Sequence, residues 1–208
     1  MVKSNKKYVI IYSCIITVIA LVFGILYYEK FFIHSHEKKA LLELTYAQKY
    51  LSQGEINNAL NKKKTKINYL GFLGIISKYP FTKAGNISKF YAGICYYKLG
   101  NYKESIKMME SFSAKDDILF SIKYGFIGDA FSQMRYKEKA LIYYIKAAKV
   151  KENELTTPLY YYKAALLNFY MKRYKKSKYL LEKIEIYYPS FLYKKNVEKY
   201  IMFINNKL

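Results

Sequence analysis

The chain has 208 residues, is 52% hydrophobic and holds two cysteines, which allows one domain with its own core or a short repeat array and excludes a disulfide framework. Its net charge of +21 raises nucleic acid or anionic lipid as partners, yet among 36 basic residues only Arg135 and Arg173 are arginines. Lysine is a hydrated point charge, whereas the planar arginine fork reads guanine and grips phosphate in two-point contacts, so the composition argues against nucleic acid.

Residues 1–7 form a short basic N-terminus with Lys3, Lys6 and Lys7. Residues 8–28, YVIIYSCIITVIALVFGILYY, carry no charge, and at about 1.5 Å per residue such a helix spans roughly 30 Å, the hydrocarbon thickness. The pattern predicts a transmembrane helix that stays uncleaved, because no small-residue cleavage site follows it. Cys14 sits too early in the run, behind a bulky Tyr12, to read as a lipoprotein acylation site. Flanking lysines tie across the span. The expected topology is therefore the default for a bacterial inner-membrane single-pass protein, with the N-terminus cytoplasmic and the C-terminal domain periplasmic.

Residues 29–36 read as a juxtamembrane linker. It holds both histidines of the chain, His34 and His36, beside Glu37, but one strand supplies no tetrahedral cage, so no metal is expected there. Residues 37–85 read as a non-standard N-terminal helical pair or pairs. A first helix is predicted over 37–53, with Leu41, Leu44, Ala47, Tyr50 and Leu51 on one stripe and Gly54 as its stop. A second is expected to begin near Ile56, and the run Lys62 to Lys66 reads as a solvated connection. An apolar helix over 69–79 ends at Pro80.

Helix pairs then repeat through residues 86–189, at about 86–119, 121–154 and 158–189. Small residues mark them: Gly93, Gly128 and Ala165 on the first helices, and twelve positions later Ser105, Ala140 and Ser177 on the second. Small side chains there let paired backbones approach closely. Large ones fill the complementary places: Tyr96, Phe131 and Phe169, then Met109, Tyr144 and Leu181. Asp116 or Asp117 is placed to cap one helix, and Thr157 with Pro158 another. Residues 190–208 read as a C-terminal capping helix over 191–204, with Val197, Ile201 and Ile204 covering the end of the stack.

The segments AGICYYKLGNYKESIKMMESF, IGDAFSQMRYKEKALIYYIKAA and AALLNFYMKRYKKSKYLLEKIEIYYP resemble the tetratricopeptide repeat (TPR) family. They depart from its pattern in lacking the early tryptophan and in placing Arg135 and Lys172 where the turn glycine stands. With the helical spacing of the whole chain, the expected fold is all-α, the N-terminal transmembrane helix being followed by what the resemblance implies, a right-handed solenoid of helical hairpins. With the segment LGFLGIISKYPFTKAGN, the chain also resembles bacterial membrane-anchored proteins related to the ancillary subunit of the SecYEG translocon. That likeness implies a scaffold at the inner membrane whose partners are other proteins or peptides, among them the translocon and periplasmic chaperones.

If the family register transfers, the concave face includes Phe90, Ile94, Tyr97, Lys98, Asp129, Gln133, Tyr162, Leu166, Phe169 and Tyr170. Tyrosine suits peptide capture because it offers a large contact area with little rotamer entropy to lose. The competing reading is that several of these residues pack against the next repeat. No phosphate-cradling glycine loop, nucleophile elbow or zinc spacing occurs, so neither an enzyme nor a cofactor is expected. Two other functions share the sequence: an adaptor in envelope biogenesis or division, and a tethered polyanion binder using the lysines. Abundant Lys, Ile, Tyr, Asn and Phe beside scarce Pro and Arg make biased codon supply a simpler source of the charge.

Overall fold

The computed structural model describes residues 2–27, 34–61 and 69–208. The end of the uncharged run at Tyr28, most of the linker and the Lys62 to Lys66 connection lie outside the described residues. Contacts divide the chain into two units, 1–88 and 89–208.

In the first unit, α1 (Val2–Tyr27) precedes α2 (His34–Ser52), α3 (Ile56–Leu60), α4 (Gly71–Lys78) and the start of α5 (Lys83–Lys98). The transmembrane helix expected over 8–28 is overturned: among the described residues no helix is long and apolar enough to cross a membrane. The α1 helix opens with Lys3, Lys6 and Lys7, and Tyr8, Tyr12, Ser13 and Thr17 interrupt the aliphatic residues behind them. The single-pass inner-membrane placement and its topology rested on that span and fall with it.

The α2 helix begins at His34, inside the expected linker, because its first turn is held from the side. Both carboxylate oxygens of Glu37 accept from the free N–H groups of Lys83 and Ala84, at 2.7 and 3.0 Å, so one glutamate caps α5. His36 packs edge-on against Tyr79. Ala40, Leu44 and Ala47, at helical spacing, form the buried stripe. Tyr69 stacks on Tyr50 at 4.5 Å and its hydroxyl donates to the Asn58 carbonyl. After Pro80, Thr82 Oγ1 donates to the Tyr79 carbonyl and accepts from Gly85 N–H. A Cβ on Gly85 would meet that carbonyl oxygen at 2.0 Å, so the approach requires glycine.

The second unit holds the rest of α5, then α6 (Tyr102–Ser111), α7 (Asp117–Gln133), α8 (Lys137–Lys149), α9 (Thr156–Tyr170), α10 (Tyr174–Tyr187) and α11 (Lys194–Asn205). Each of α6 to α11 packs on its neighbours in sequence, and α7 also meets α9. Asp116 caps α7, its carboxylate accepting from the Ile118 and Leu119 N–H groups. The cap of α9 differs from the expected Thr157. Asn153 Oδ1 accepts from Leu155 and Thr156, while Thr157 is buried and its hydroxyl donates to the Ala148 carbonyl. The last helix starts at Lys194 rather than at Phe191, whose ring is buried in the preceding turn.

One hydrogen-bond pattern closes four hairpin turns among the described residues. Gly54, Gly100, Arg135 and Lys172 all adopt positive φ, between 58° and 79°. The residue after each donates its N–H to a carbonyl five positions back: Glu55 to Tyr50, Asn101 to Tyr96, Tyr136 to Phe131 and Arg173 to Asn168. This is the Schellman closure, which satisfies carbonyls that the helix end leaves free. It sets a common register in which Ala47, Gly93, Gly128 and Ala165 are equivalent, as are Ala59, Ser105, Ala140 and Ser177. Ser105 Oγ donates to the Gly93 carbonyl and Ser177 Oγ to the Ala165 carbonyl, each across twelve residues. Ala47 and Ala59 are fully buried, so the pair expected in 37–85 includes a hairpin, α2 with α3, whose turn and small-residue positions follow the same register.

Candidate functional site

The half-buried carboxylate of Asp129 is the most heavily engaged polar group on α7. Lys163 of α9 approaches it at 2.8 and 2.7 Å, and the Tyr144 hydroxyl of α8 donates to it at 2.8 Å. Lys163 also lies over the Tyr144 and Tyr160 rings. Three helices therefore converge on one carboxylate. Burial, and next the negative field of Asp129, push the Tyr144 and Tyr160 hydroxyls well above the ordinary tyrosine range, so both stay neutral donors. Tyr97 of α5 is raised too, by burial and then by Asp129, while a hydrogen bond from Gln133 opposes the shift. Its ring packs edge-on against Tyr102 and Phe126.

Tyr97, Asp129 and Gln133 thus meet, with Lys163 and Tyr144 as the residues the sequence reading did not assign to this face. Lys163 was discoverable: it stands 34 residues from Asp129, one repeat length, as Arg173 stands 35 from its partner Glu138. Opposite charges separated by one repeat are candidates for a lock between neighbouring hairpins.

The other expected residues divide. Tyr162 is buried and stacks on Tyr193, with Phe191 and Tyr200 at its edges. Phe169 meets Tyr174, Tyr200 and Phe203. These two line a cavity of about 360 Å³ with Asn196, Lys199, Tyr200 and Phe203, so α11 supplies one wall there. Tyr170 is exposed beside Phe169. Phe90 is buried against Phe112 and Phe126, Leu166 packs on the core of the unit, Ile94 is half-buried and Lys98 is exposed. Phe90 and Leu166 thus serve packing more than access.

The repeat-packing residues sit at helix crossings. A Cβ on Gly93 would meet the Met109 side chain at 2.9 Å, and one on Gly128 the Tyr144 ring at 2.7 Å. Gly125 is tighter still, with the Tyr160 ring at 2.1 Å from that position. Burial pushes the Cys95 thiol up to about 12, Lys98 opposing, which leaves it an inert packing group. Among the described residues no cluster of three or more His, Cys, Asp or Glu could hold a metal.

No family model and no curated protein matches the sequence. The crystal structure of MamA matches the fold with a TM-score of 0.55 and 18% identity, over 77% of this chain and 93% of that one. At that identity the likeness speaks of backbone arrangement alone. It and the repeated hairpin closure show an all-helical repeat fold of the TPR type.

Proposed function

We propose that the chain is a non-enzymatic scaffold that captures segments of other proteins on the face shared by α5, α7 and α9. The carrying observation is the convergence of half-buried Tyr97, Asp129 and Lys163 with exposed Gln133, a group of donors and acceptors held in place by their own hydrogen bonds. Such a face presents a rigid aromatic surface with one fixed carboxylate, so a ligand meets few freely rotating groups and loses little entropy in ordering them. Binding, rather than turnover, is the activity. Candidate partners include translocon components and chaperones, a choice that rests on the resemblance of the 70–86 segment and the repeats.

A photocrosslinking residue at Gln133 tests the reading, with the captured protein recovered and then presented to Tyr97→Ala. The expected result is a specific partner and about tenfold weaker binding by the variant, the equivalent of one good contact. Unchanged binding removes this face. A polyanion binder would instead lose affinity steeply with salt and ignore Tyr97.

A further inference from the structure

The segment that joins α8 to α9 is a fixed wall, because Asn153 ties it together. Asn153 N–H donates to Thr157 Oγ1 at 3.0 Å, and its amide nitrogen donates to the Lys151 carbonyl and to Thr156 Oγ1, both at 2.8 Å. Its Oδ1 accepts from the Leu155 and Thr156 N–H groups. Between this wall and the second half of α10 lies a groove of about 750 Å³, inside the range of about 300 to 1,000 Å³ common to ligand sites. Buried Tyr188, the residue that follows α10, also lines it.

Basic residues outnumber acidic ones by 36 to 15 in the chain, yet three carboxylates, Glu152, Glu154 and Glu182, line this groove with a single ammonium, Lys183. That ammonium is engaged already. Lys183 Nζ donates to the Tyr161 hydroxyl at 3.0 Å, lies 4.7 Å from the centre of that ring and stands 3.7 Å from Glu152. Glu182 has a partly exposed contact of 3.6 Å with Lys178 one turn earlier, a kind of pair that contributes little. Glu154 is exposed and has no basic partner among the described residues. Beside these carboxylates Tyr179, Ile186 and Tyr187 are 67%, 67% and 64% exposed, and their spacing of seven and eight places them along one stripe of α10.

We propose that this groove docks an arginine-bearing basic segment of a partner protein, the guanidinium meeting Glu154 and Glu182 and its aliphatic stem lying on Tyr179 and Ile186. An arginine is apolar along its stem and cationic at its head, the same pairing of surfaces that the groove offers. Its planar fork bonds carboxylates at two points and stacks on tyrosine rings, which the compact lysine ammonium does less well. Nucleic acid and anionic lipid bring phosphates, which three carboxylates repel. A second copy of the chain is disfavoured by the repulsion of two charges of +21 and by its two arginines, of which Arg173 is already held by Glu138. The groove shares no residue with the Tyr97 and Asp129 face, so either assignment can fail alone.

Calorimetric titration of the full chain with a synthetic peptide, three arginines set among alanines and leucines, tests the assignment at about 0.15 M salt. Saturable binding of one peptide per chain is expected, about fivefold weaker or more when lysines replace the arginines. Glu154→Gln with Glu182→Gln should weaken binding at least about tenfold, and Tyr179→Ala with Ile186→Ala should do the same. None of these four side chains is buried, so both double variants should keep the helical circular dichroism and the Tm of the parent. Tyr97→Ala should leave the binding of this peptide unchanged. An absence of saturable binding, equal binding of the lysine peptide, or undiminished binding by either double variant overturns the proposal.

Discussion

Hairpins α7–α8 and α9–α10 share a turn geometry and differ in what fills them. In the first, Gly128 lets the Tyr144 ring lie against α7, and Phe131 stacks on Tyr143. In the second, Ala165 and Ser177 make the crossing through a hydrogen bond, and Asn168 leaves the neighbouring space open. The crossing tolerates either ring packing or a serine bond as long as one residue of the pair is small. Backbone closure therefore sets the architecture, while the interior filling is free to vary.

Several substitutions break or sharpen this comparison. The largest effect is expected at Gly125, where any side chain collides with the Tyr160 ring: Gly125→Val should destabilise the second unit by about 3 kcal/mol in urea unfolding. Next comes Asp129→Ala, which strands Lys163 and the Tyr144 hydroxyl and should cost about 2 kcal/mol. The lock also has a pH signature. The raised Tyr144 and Tyr160 hydroxyls favour the protonated form in the folded state, so their contribution is complete below the unfolded value of about 10 and is lost as pH rises above it. Stability should fall from about pH 10 upward, and less steeply in Tyr144→Phe.

Smaller effects test the crossing and the turns. Ser177→Ala removes one buried hydrogen bond and should lower stability by about 1 kcal/mol, whereas Ala140→Ser in the neighbouring hairpin should bring no comparable gain because the Tyr144 ring already occupies that crossing. Lys172→Gly and Arg135→Gly should each stabilise by about 0.5 to 1 kcal/mol, since both residues hold left-handed backbone that a Cβ opposes. A Tm that fails to rise would mean that their side chains make compensating contacts.

The helical class of the second unit and the small-residue spacing at its crossings are legible in the sequence. The twelve-residue spacing from Gly93 to Ser105 and from Ala165 to Ser177 is a local pattern, and it corresponds to real hydrogen bonds. Three features escaped. Ala47 and Ala59 are a common pair of residues in any helical stretch, so their role shows only through the turn at Gly54. Aligning Phe169 with Phe131 chose the similar side chain over the true register, which the Arg173 to Asn168 hydrogen bond defines. The apolar run near the N-terminus was read by its uncharged length, whereas the helix that forms also includes the lysines before it.

The sequence by itself determined the helical class, the hairpin period and the places where helices cross, because these depend on residue size and spacing within about forty positions. Only the tertiary structure decided which of the candidate residues meet. Asp129 finds Lys163 because two helices a repeat apart are brought side by side, and Asn168 lies beneath a cleft because the neighbouring helices do not collapse onto it. Those outcomes depend on packing between segments distant in the chain, and a linear pattern carries no term for the volume left between them.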